Sequence, residues 1–77
     1  MAWLTPAQCR RARQLLGWSQ VRLAAHSAAS PTSIGRLESG AVPQDRRILS
    51  DIRAAFEAAG VEFPERGNRR VRLRGAR

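Results

Sequence analysis

Residues 15–40 read LLGWSQVRLAAHSAASPTSIGRLESG, and two helix start signals lie within this segment. Ser19 can cap a helix over about residues 20–26, because its hydroxyl can accept a hydrogen bond from a free N–H group of the first turn. Ser30 followed by Pro31 repeats the signal, since proline lacks the N–H group that a first helical position leaves unbonded. The segment therefore predicts two short helices separated by about three or four residues.

The second of these helices, over residues 30–38, has two distinct faces. Ile34 and Leu37 point towards a core, whereas Thr32 and Arg36 are four residues apart and share the opposite face. Two short helices joined by a tight turn form a helix-turn-helix unit, and the second helix of such a unit can enter the major groove of DNA. The pattern thus indicates a DNA-reading helix.

Further helices are predicted on both sides of this unit. Thr5 can cap a helix that runs to about Leu16, with Pro6 at its first position. Asp45 can cap another helix, whose apolar residues recur at helical spacing until Gly60 ends it. We therefore expect four helices in the first 60 residues.

Beyond the fourth helix the apolar residues alternate with polar ones, which is typical of strands. We predict two short strands joined by residues 64–69, with a turn at Gly67-Asn68. The expected fold class is all-α, with a four-helix domain over residues 1–60 and a short β-hairpin or strand extension, rich in arginine, over residues 61–77.

Composition favours a polyanionic partner. The 77 residues suffice for one domain and carry a net charge of +8, and all basic residues are arginine, whose guanidinium group fits phosphates and guanine edges. Coding bias in a GC-rich genome accounts for the absence of lysine better than for the excess of charge. One cysteine and one histidine exclude an internal disulfide and a structural zinc site.

The sequence also argues against several other classes of protein. It contains no apolar run long enough to span a bilayer and no signal-peptide pattern, so we expect a cytoplasmic protein without a membrane partner. It offers no nucleophile with a base, no carboxylate pair and no glycine-rich phosphate loop. We expect no enzymatic activity, no cofactor and no metal.

Four short motifs occur in a characteristic order, and Pro43 follows them. They are Leu16-Gly17-Trp18-Ser19-Gln20, Leu23-Ala24, Ser30-Pro31-Thr32-Ser33-Ile34 and Arg36-Leu37-Glu38-Ser39-Gly40. In this order and spacing they resemble the phage-repressor/Cro family of lambda-repressor-like helix-turn-helix domains, also called the xenobiotic-response-element family. The resemblance extends from about Thr5 to Phe63 and implies a DNA-binding transcription regulator.

The resemblance also implies roles for individual residues. Gln20 corresponds to a glutamine that touches a phosphate and braces the start of the recognition helix, and Arg13 with Glu38 corresponds to a structural pair. The expected base-reading residues lie on the second helix of the unit: Pro31, Thr32, Ser33 and Arg36. Ala28 departs from the family, which has glycine there, and would cost around 1 kcal/mol if left-handed. Gly35 weakens the recognition helix by about 1 kcal/mol and removes a side chain from its groove face.

Phosphate contacts are expected where helices begin, because unpaired N–H groups and the positive end of the helix dipole lie there. The candidates are Ser19, Gln20, Ser30, Arg46 and Arg47. For the last two, a phosphate contact and compensation by Asp45 and solvent both remain open. Four other arginines are expected to be solvated: Arg10, Arg11, Arg22 and Arg53. Cys9 is expected in the core and His26 on the surface.

The residues after Gly60 have three possible roles. They can pair with a second copy, place Arg70, Arg72 and Arg74 against DNA, or fray. We favour a homodimer, because two recognition helices read two half-sites and an exposed ribbon edge invites pairing. The expected dimer contacts are Val61, Phe63, Val71 and Leu73.

The sequence thus predicts a dimeric repressor that binds double-stranded DNA and reads a palindromic operator with the helix at residues 30–38. One alternative is an antitoxin-like or adaptor module that holds a protein partner, such as a toxin or a regulator, and also binds DNA. Another is a sequence-neutral nucleic-acid binder, which would bind through the arginine-rich tail.

Overall fold

The structure is a computed structural model that describes residues 4–40, 45–63 and 71–74. Within these ranges the chain is mostly helical, with one small antiparallel sheet. The elements are α1 (Pro6–Leu16), α2 (Gln20–His26), α3 (Pro31–Ser39), α4 (Arg46–Ala58), β1 (Val61–Glu62) and β2 (Arg72–Leu73). The predicted four helices and C-terminal strand pair are confirmed, whereas the turn predicted at Gly67-Asn68 lies outside the described residues.

Each helix begins at its predicted cap. The Thr5 hydroxyl accepts from the Gln8 backbone N–H at 3.1 Å, and the Gln8 side chain accepts from the Thr5 N–H at 3.0 Å, which completes a capping box. The side chains of Ser19, Ser30 and Asp45 each accept a backbone N–H of the helix that follows. Local hydrogen bonds therefore fix where all four helices start.

Glycine supplies the left-handed residues that end helices. Gly17 has φ 69° and caps α1, and Gly40 has φ 71° and caps α3. Among the described residues a positive φ occurs at glycine alone, so Ala28 is not left-handed and the cost considered for it does not arise. The turn from α2 to α3 therefore needs no glycine in this chain.

The helices and the strand pair share one hydrophobic core. Its largest fully buried side chains include Leu23 of α2, Ile34 of α3, and Ile52 and Phe56 of α4. Rings extend this core, because Trp18 stacks on Phe56 with a centroid separation of 6.1 Å. None of the helices in the described ranges has the length and apolar character required to cross a membrane.

The two strands, called the ribbon below, close onto this core. Val61 pairs with Leu73, and Val61 and Val71 are only 1% and 5% exposed within a single chain. The sequence predicted a dimer contact at these two valines, but in the structure their side chains are covered by the chain's own helices. Phe63 and Leu73 are half-buried against the same core, and a dimer contact at these two residues stays a prediction.

Candidate nucleic-acid interface

Helix α3 separates its buried and exposed residues cleanly. Ile34 and Leu37 pack in the core, whereas Thr32, Arg36 and Ser39 are exposed at successive turns of the helix. Residues three or four positions apart lie on the same face of a helix. Thr32 and Arg36 therefore present hydrogen-bonding groups side by side to the exterior, as the sequence predicted.

Hydroxyl groups at the start of α3 are already organised. Ser30 Oγ accepts from the Ser33 N–H at 3.1 Å and donates to Ser33 Oγ, also at 3.1 Å. The Ser33 hydroxyl is half-buried, and its own proton is left to donate to an outside acceptor. Pro31 is exposed beside this pair and contributes no N–H group.

Glu38 is the buried polar centre of this part of the molecule. It is 6% exposed, and each carboxylate oxygen accepts from Arg13, with Nε to Oε2 at 2.7 Å and Nη2 to Oε1 at 2.8 Å. Cys9 Sγ donates to Oε2 at 3.1 Å, and Gln20 Nε2 donates to Oε1 at 3.1 Å. All acceptor positions of the carboxylate are therefore filled from α1 and α2, so the ion pair joins α1 to α3.

These bonds determine the protonation of the cluster. Burial alone would raise the pKa of Glu38, but the hydrogen bonds from Arg13, Gln20 and Cys9 outweigh it and hold that pKa below its usual range. Burial, aided by Glu38, raises the pKa of the Cys9 thiol well above its usual range. Glu38 is therefore ionised at neutral pH, and Cys9 is a protonated core thiol.

Gln20 lies against α3 at a position that the sequence did not indicate. Its carboxamide packs beside Gly35, where a Cβ would lie 3.8 Å from Oε1 and 3.9 Å from Nε2. Gly35 therefore faces the Gln20 side chain, and its predicted effect on a groove face stays a prediction. Through Glu38, Gln20 is bonded to the last turn of α3 and not to its start.

Carboxylates are distributed unevenly over the described residues. Residues 4–40 contain five arginines and one carboxylate, the buried Glu38, whereas residues 45–63 and 71–74 contain five arginines and four carboxylates. The exposed charged side chains of residues 4–40 are thus all cationic: Arg10, Arg11, Arg22 and Arg36. The part of the molecule that contains α3 therefore has the electrostatic character required by a polyanionic partner.

Some arginines have partners that sequence reasoning missed. Arg10 was expected to be solvated, yet its Nη1 donates to the backbone carbonyl of Glu38. Arg53 was also expected to be solvated, and it lies over the Phe63 ring at 5.1 Å and bonds Glu57 at 3.2 Å. No local pattern signals the first contact, whereas the four-residue spacing of Arg53 and Glu57 could have indicated the ion pair.

The remaining candidate residues lie at helix starts or on the ribbon. Arg46 and Arg47 are exposed at the first turn of α4, and Asp45 Oδ1 accepts from the Arg47 backbone N–H at 2.9 Å. On the ribbon, the guanidinium groups of Arg72 and Arg74 lie 2.8 and 3.7 Å from the Glu62 carboxylate. Arg70 lies outside the described residues. The ribbon arginines within the described ranges therefore share one compensating carboxylate.

His26 is exposed at the end of α2, as expected, and its ring stacks on Trp18 with a centroid separation of 4.5 Å. No group of three potential metal ligands occurs among residues 4–40, 45–63 and 71–74.

We compared the chain with known protein families and with curated proteins. A scan of known protein families finds none that matches the chain. No curated protein matches it either. Function must therefore be inferred from the sequence motifs and from the geometry of α2 and α3.

Proposed function

We propose that the protein is a transcription regulator that binds double-stranded DNA through a helix-turn-helix unit formed by α2 and α3, in a lambda-repressor-like fold. One observation carries the proposal. The face of α3 that exposes Thr32 and Arg36 belongs to residues 4–40, a stretch whose exposed charged groups are all arginines. A helix of this kind inserts into the major groove with its first turns nearest the base edges.

The exposed groups of α3 suit particular atoms of DNA. Arg36 can donate two hydrogen bonds to the O6 and N7 atoms of one guanine, which typically contributes about 1–3 kcal/mol of discrimination. Thr32 can contact a thymine methyl group or a phosphate, and the Ser33 hydroxyl can donate to a base or a phosphate oxygen. Direct readout by α3 therefore centres on Arg36.

Phosphate contacts are assigned to the starts of α2 and α3. Ser19 Oγ accepts from the Arg22 backbone N–H at 3.0 Å and keeps its own proton for an outside acceptor. Gln20 lies next to it. The Ser30 hydroxyl donates its one hydrogen bond to Ser33 Oγ, so the phosphate contact predicted for Ser30 would be made by the Ser33 hydroxyl. These groups would fix the position of α3 in the groove without reading sequence. Arg46 and Arg47 would add a phosphate contact at the start of α4.

We also propose that two copies bind one operator. A single helix of nine residues contacts only a few base pairs, whereas two copies related by a two-fold axis read half-sites about one helical turn, or 34–36 Å, apart. A protein of this kind represses transcription by occupying its site. The alternative is an antitoxin-like or adaptor module that holds a protein partner and also binds DNA.

The test is selection of bound duplexes from a random pool at physiological salt. Three proteins are compared: wild type, Arg36→Ala, and Arg72→Ala as a control that removes one exposed positive charge from the ribbon. We expect a palindromic motif for wild type and for Arg72→Ala, with half-sites about one turn apart. In Arg36→Ala, we expect the preference for one guanine in each half-site to be lost.

Other results would assign the protein differently. Binding without an enriched motif, equally sensitive to salt in all three proteins, would indicate a sequence-neutral nucleic-acid binder. Absence of binding to any duplex would refute the proposal and favour the protein-interaction module.

A further inference from the structure

We infer that Gln20 reads the sequence of the DNA, because its side-chain carbonyl oxygen is placed to accept a hydrogen bond from the exocyclic amino group of a base in the major groove. This inference rests on the proposed function and deepens it, since it adds a base contact from α2 to those made by α3. It gives Gln20 a base contact in place of the phosphate contact proposed above. The position and orientation of the Gln20 carboxamide carry it.

The Gln20 carboxamide lies beside the exposed face of α3. Gly35 follows Thr32 by three residues and precedes Ser39 by four, so it shares their face of the helix, and Arg36 lies on this face too. A Cβ on Gly35 would lie 3.8 Å from Gln20 Oε1 and 3.9 Å from Nε2. The carboxamide is therefore next to the point at which a side chain of residue 35 would begin.

Glu38 fixes which end of the carboxamide is turned inward. Gln20 Nε2 donates to Glu38 Oε1 at 3.1 Å, and the other acceptor positions of the carboxylate are filled by Arg13 and Cys9. The nitrogen and oxygen of an amide have nearly the same shape, so hydrogen bonding decides between the two orientations. Reversal would lose this hydrogen bond and set Gln20 Oε1 against Glu38 Oε1, two acceptors beside a carboxylate that is 6% exposed.

The carbonyl oxygen is the end that is left open. Gln20 Oε1 accepts no hydrogen bond from the residues that the structure describes. Within residues 4–40, 45–63 and 71–74 every buried side-chain nitrogen or oxygen has a partner, so Oε1 is not buried. This part of the surface thus offers DNA two kinds of group, because the Arg36 guanidinium donates hydrogen bonds and Gln20 Oε1 accepts them.

Few groups of duplex DNA can donate to such an acceptor. Phosphate oxygens, guanine O6 and N7, adenine N7 and thymine O4 are all acceptors. The donors of the major groove are the N6 amino group of adenine and the N4 amino group of cytosine. An acceptor that loses water and meets another acceptor is left unsatisfied, so the wrong base also carries a cost. Gln20 therefore favours adenine or cytosine at one position of each half-site.

The experiment deletes single amino groups from the duplex that wild type selects. Purine replaces adenine, or 2-pyrimidinone replaces cytosine, at one position of one half-site at a time. The dissociation constant of each duplex is measured for wild type, Gln20→Met and Gln14→Met. Methionine has nearly the length of glutamine but no carboxamide, and Gln14, an exposed glutamine on α1, is the matched control.

One position should respond differently from all others. There we expect loss of the amino group to weaken binding about five- to tenfold for wild type and for Gln14→Met, and less than about twofold for Gln20→Met. The analogue that gives this result, purine or 2-pyrimidinone, identifies the base.

Two results would overturn the inference. If Gln20→Met weakens binding to the selected duplex and to all analogues by the same factor, Gln20 makes a contact that is independent of sequence, such as one to a phosphate. If Gln20→Met binds every duplex as wild type does, its carboxamide makes no contact with DNA.

A second measurement uses wild type alone and decides the matter even if Gln20→Met does not fold. In ¹³C,¹⁵N-labelled protein, the Cδ resonance of Gln20 should move when the selected duplex is added, because the carbonyl oxygen gains a donor. It should move less with the analogue that lacks the amino group. Movement of the NH₂ protons with an unchanged Cδ resonance would refute the inference.

The two proposals fail in different ways. If wild type selects no duplex, the proposed function fails, and the base contact of Gln20 falls with it. If wild type selects a duplex but one of the overturning results is found, only the role of Gln20 is refuted.

Discussion

Replacing Arg13 by methionine tests whether the ion pair with Glu38 holds α1 and α3 together. The substitution removes both hydrogen bonds of 2.7 and 2.8 Å from a carboxylate that is 6% exposed. Breaking a buried pair by removing one partner costs about 3–5 kcal/mol. A chain of this length has a total free energy of unfolding of about 4–12 kcal/mol. We therefore expect Arg13→Met to remove a large part of the stability of the fold.

The structure also predicts an order among the variants. The Arg13 side chain is 20% exposed, so Glu38→Leu leaves a cation that can still reach water, and we expect this substitution to cost less than Arg13→Met. Arg13→Met/Glu38→Leu buries no unpaired charge and should be more stable than either single variant. The exposed Arg11 on the same helix offers a matched control, because Arg11→Met should change stability by less than about 0.5 kcal/mol.

Urea unfolding at neutral pH, followed by circular dichroism, measures all four variants. A loss of about 3 kcal/mol should also lower Tm by at least about 12 °C, since each kcal/mol shifts Tm by about 4–8 °C in a domain of this size. The reasoning is refuted if Arg13→Met costs less than about 1 kcal/mol, well below the cost of breaking a buried pair. A double variant less stable than both single variants would refute it as well.

Three further predictions concern stability. Glu38 contributes stability that depends on pH, because its pKa is lowered in the folded state. This stability is present above the unfolded pKa of about 4.3 and is lost as the pH falls through the folded value. Unfolding at pH 7 and at about pH 3 should show this loss in wild type and a smaller one in Arg13→Met/Glu38→Leu. Gly35→Ala should raise the free energy of unfolding by about 0.5–1 kcal/mol, because alanine favours helix and its Cβ meets no clash. Gly40→Ala should lower the free energy of unfolding, because Gly40 has φ 71°. Urea unfolding that showed no difference between the two variants would contradict this. Glu62→Gln should change stability by less than about 1 kcal/mol, because its ion pairs with Arg72 and Arg74 are exposed, and a larger loss in thermal unfolding would mean that the ribbon depends on them.

Helix boundaries could be read from the sequence because their causes are local. Ser19, Ser30 and Asp45 cap the helix that begins at the next residue, so the signal and the structure lie within three residues of each other. The left-handed caps at Gly17 and Gly40 are local for the same reason. The mostly helical fold therefore follows from short stretches of sequence.

Contacts between distant residues could be read only in part. The resemblance to a known family implied the pair of Arg13 and Glu38, which the structure brings together. It did not indicate that Cys9 and Gln20, 29 and 18 residues away from Glu38, also bond that carboxylate. Such contacts depend on how helices cross, and no periodic pattern records that.

For the ribbon, too, the sequence pattern predicted the contacts only in part, for a different reason. Alternation correctly placed Val61 and Val71 on the apolar side, but alternation states only which residues share a face. It does not state whether that face meets the chain's own helices or a second copy. The structure places both valines in the core of one chain, against that chain's own helices.

The net charge of +8 has a consequence for the rate of encounter. Residues 1–40 have five arginines and one carboxylate, and residues 41–77 have nine arginines and five carboxylates, so each part carries a net charge of +4 and attraction to a polyanion acts on the whole chain. This attraction extends over about one Debye length, roughly 10 Å at 0.1 M salt, and it should make encounter fastest at low salt. Because residues 4–40 expose no carboxylate, a polyanion that reaches α1, α2 or α3 meets no repelling group on them.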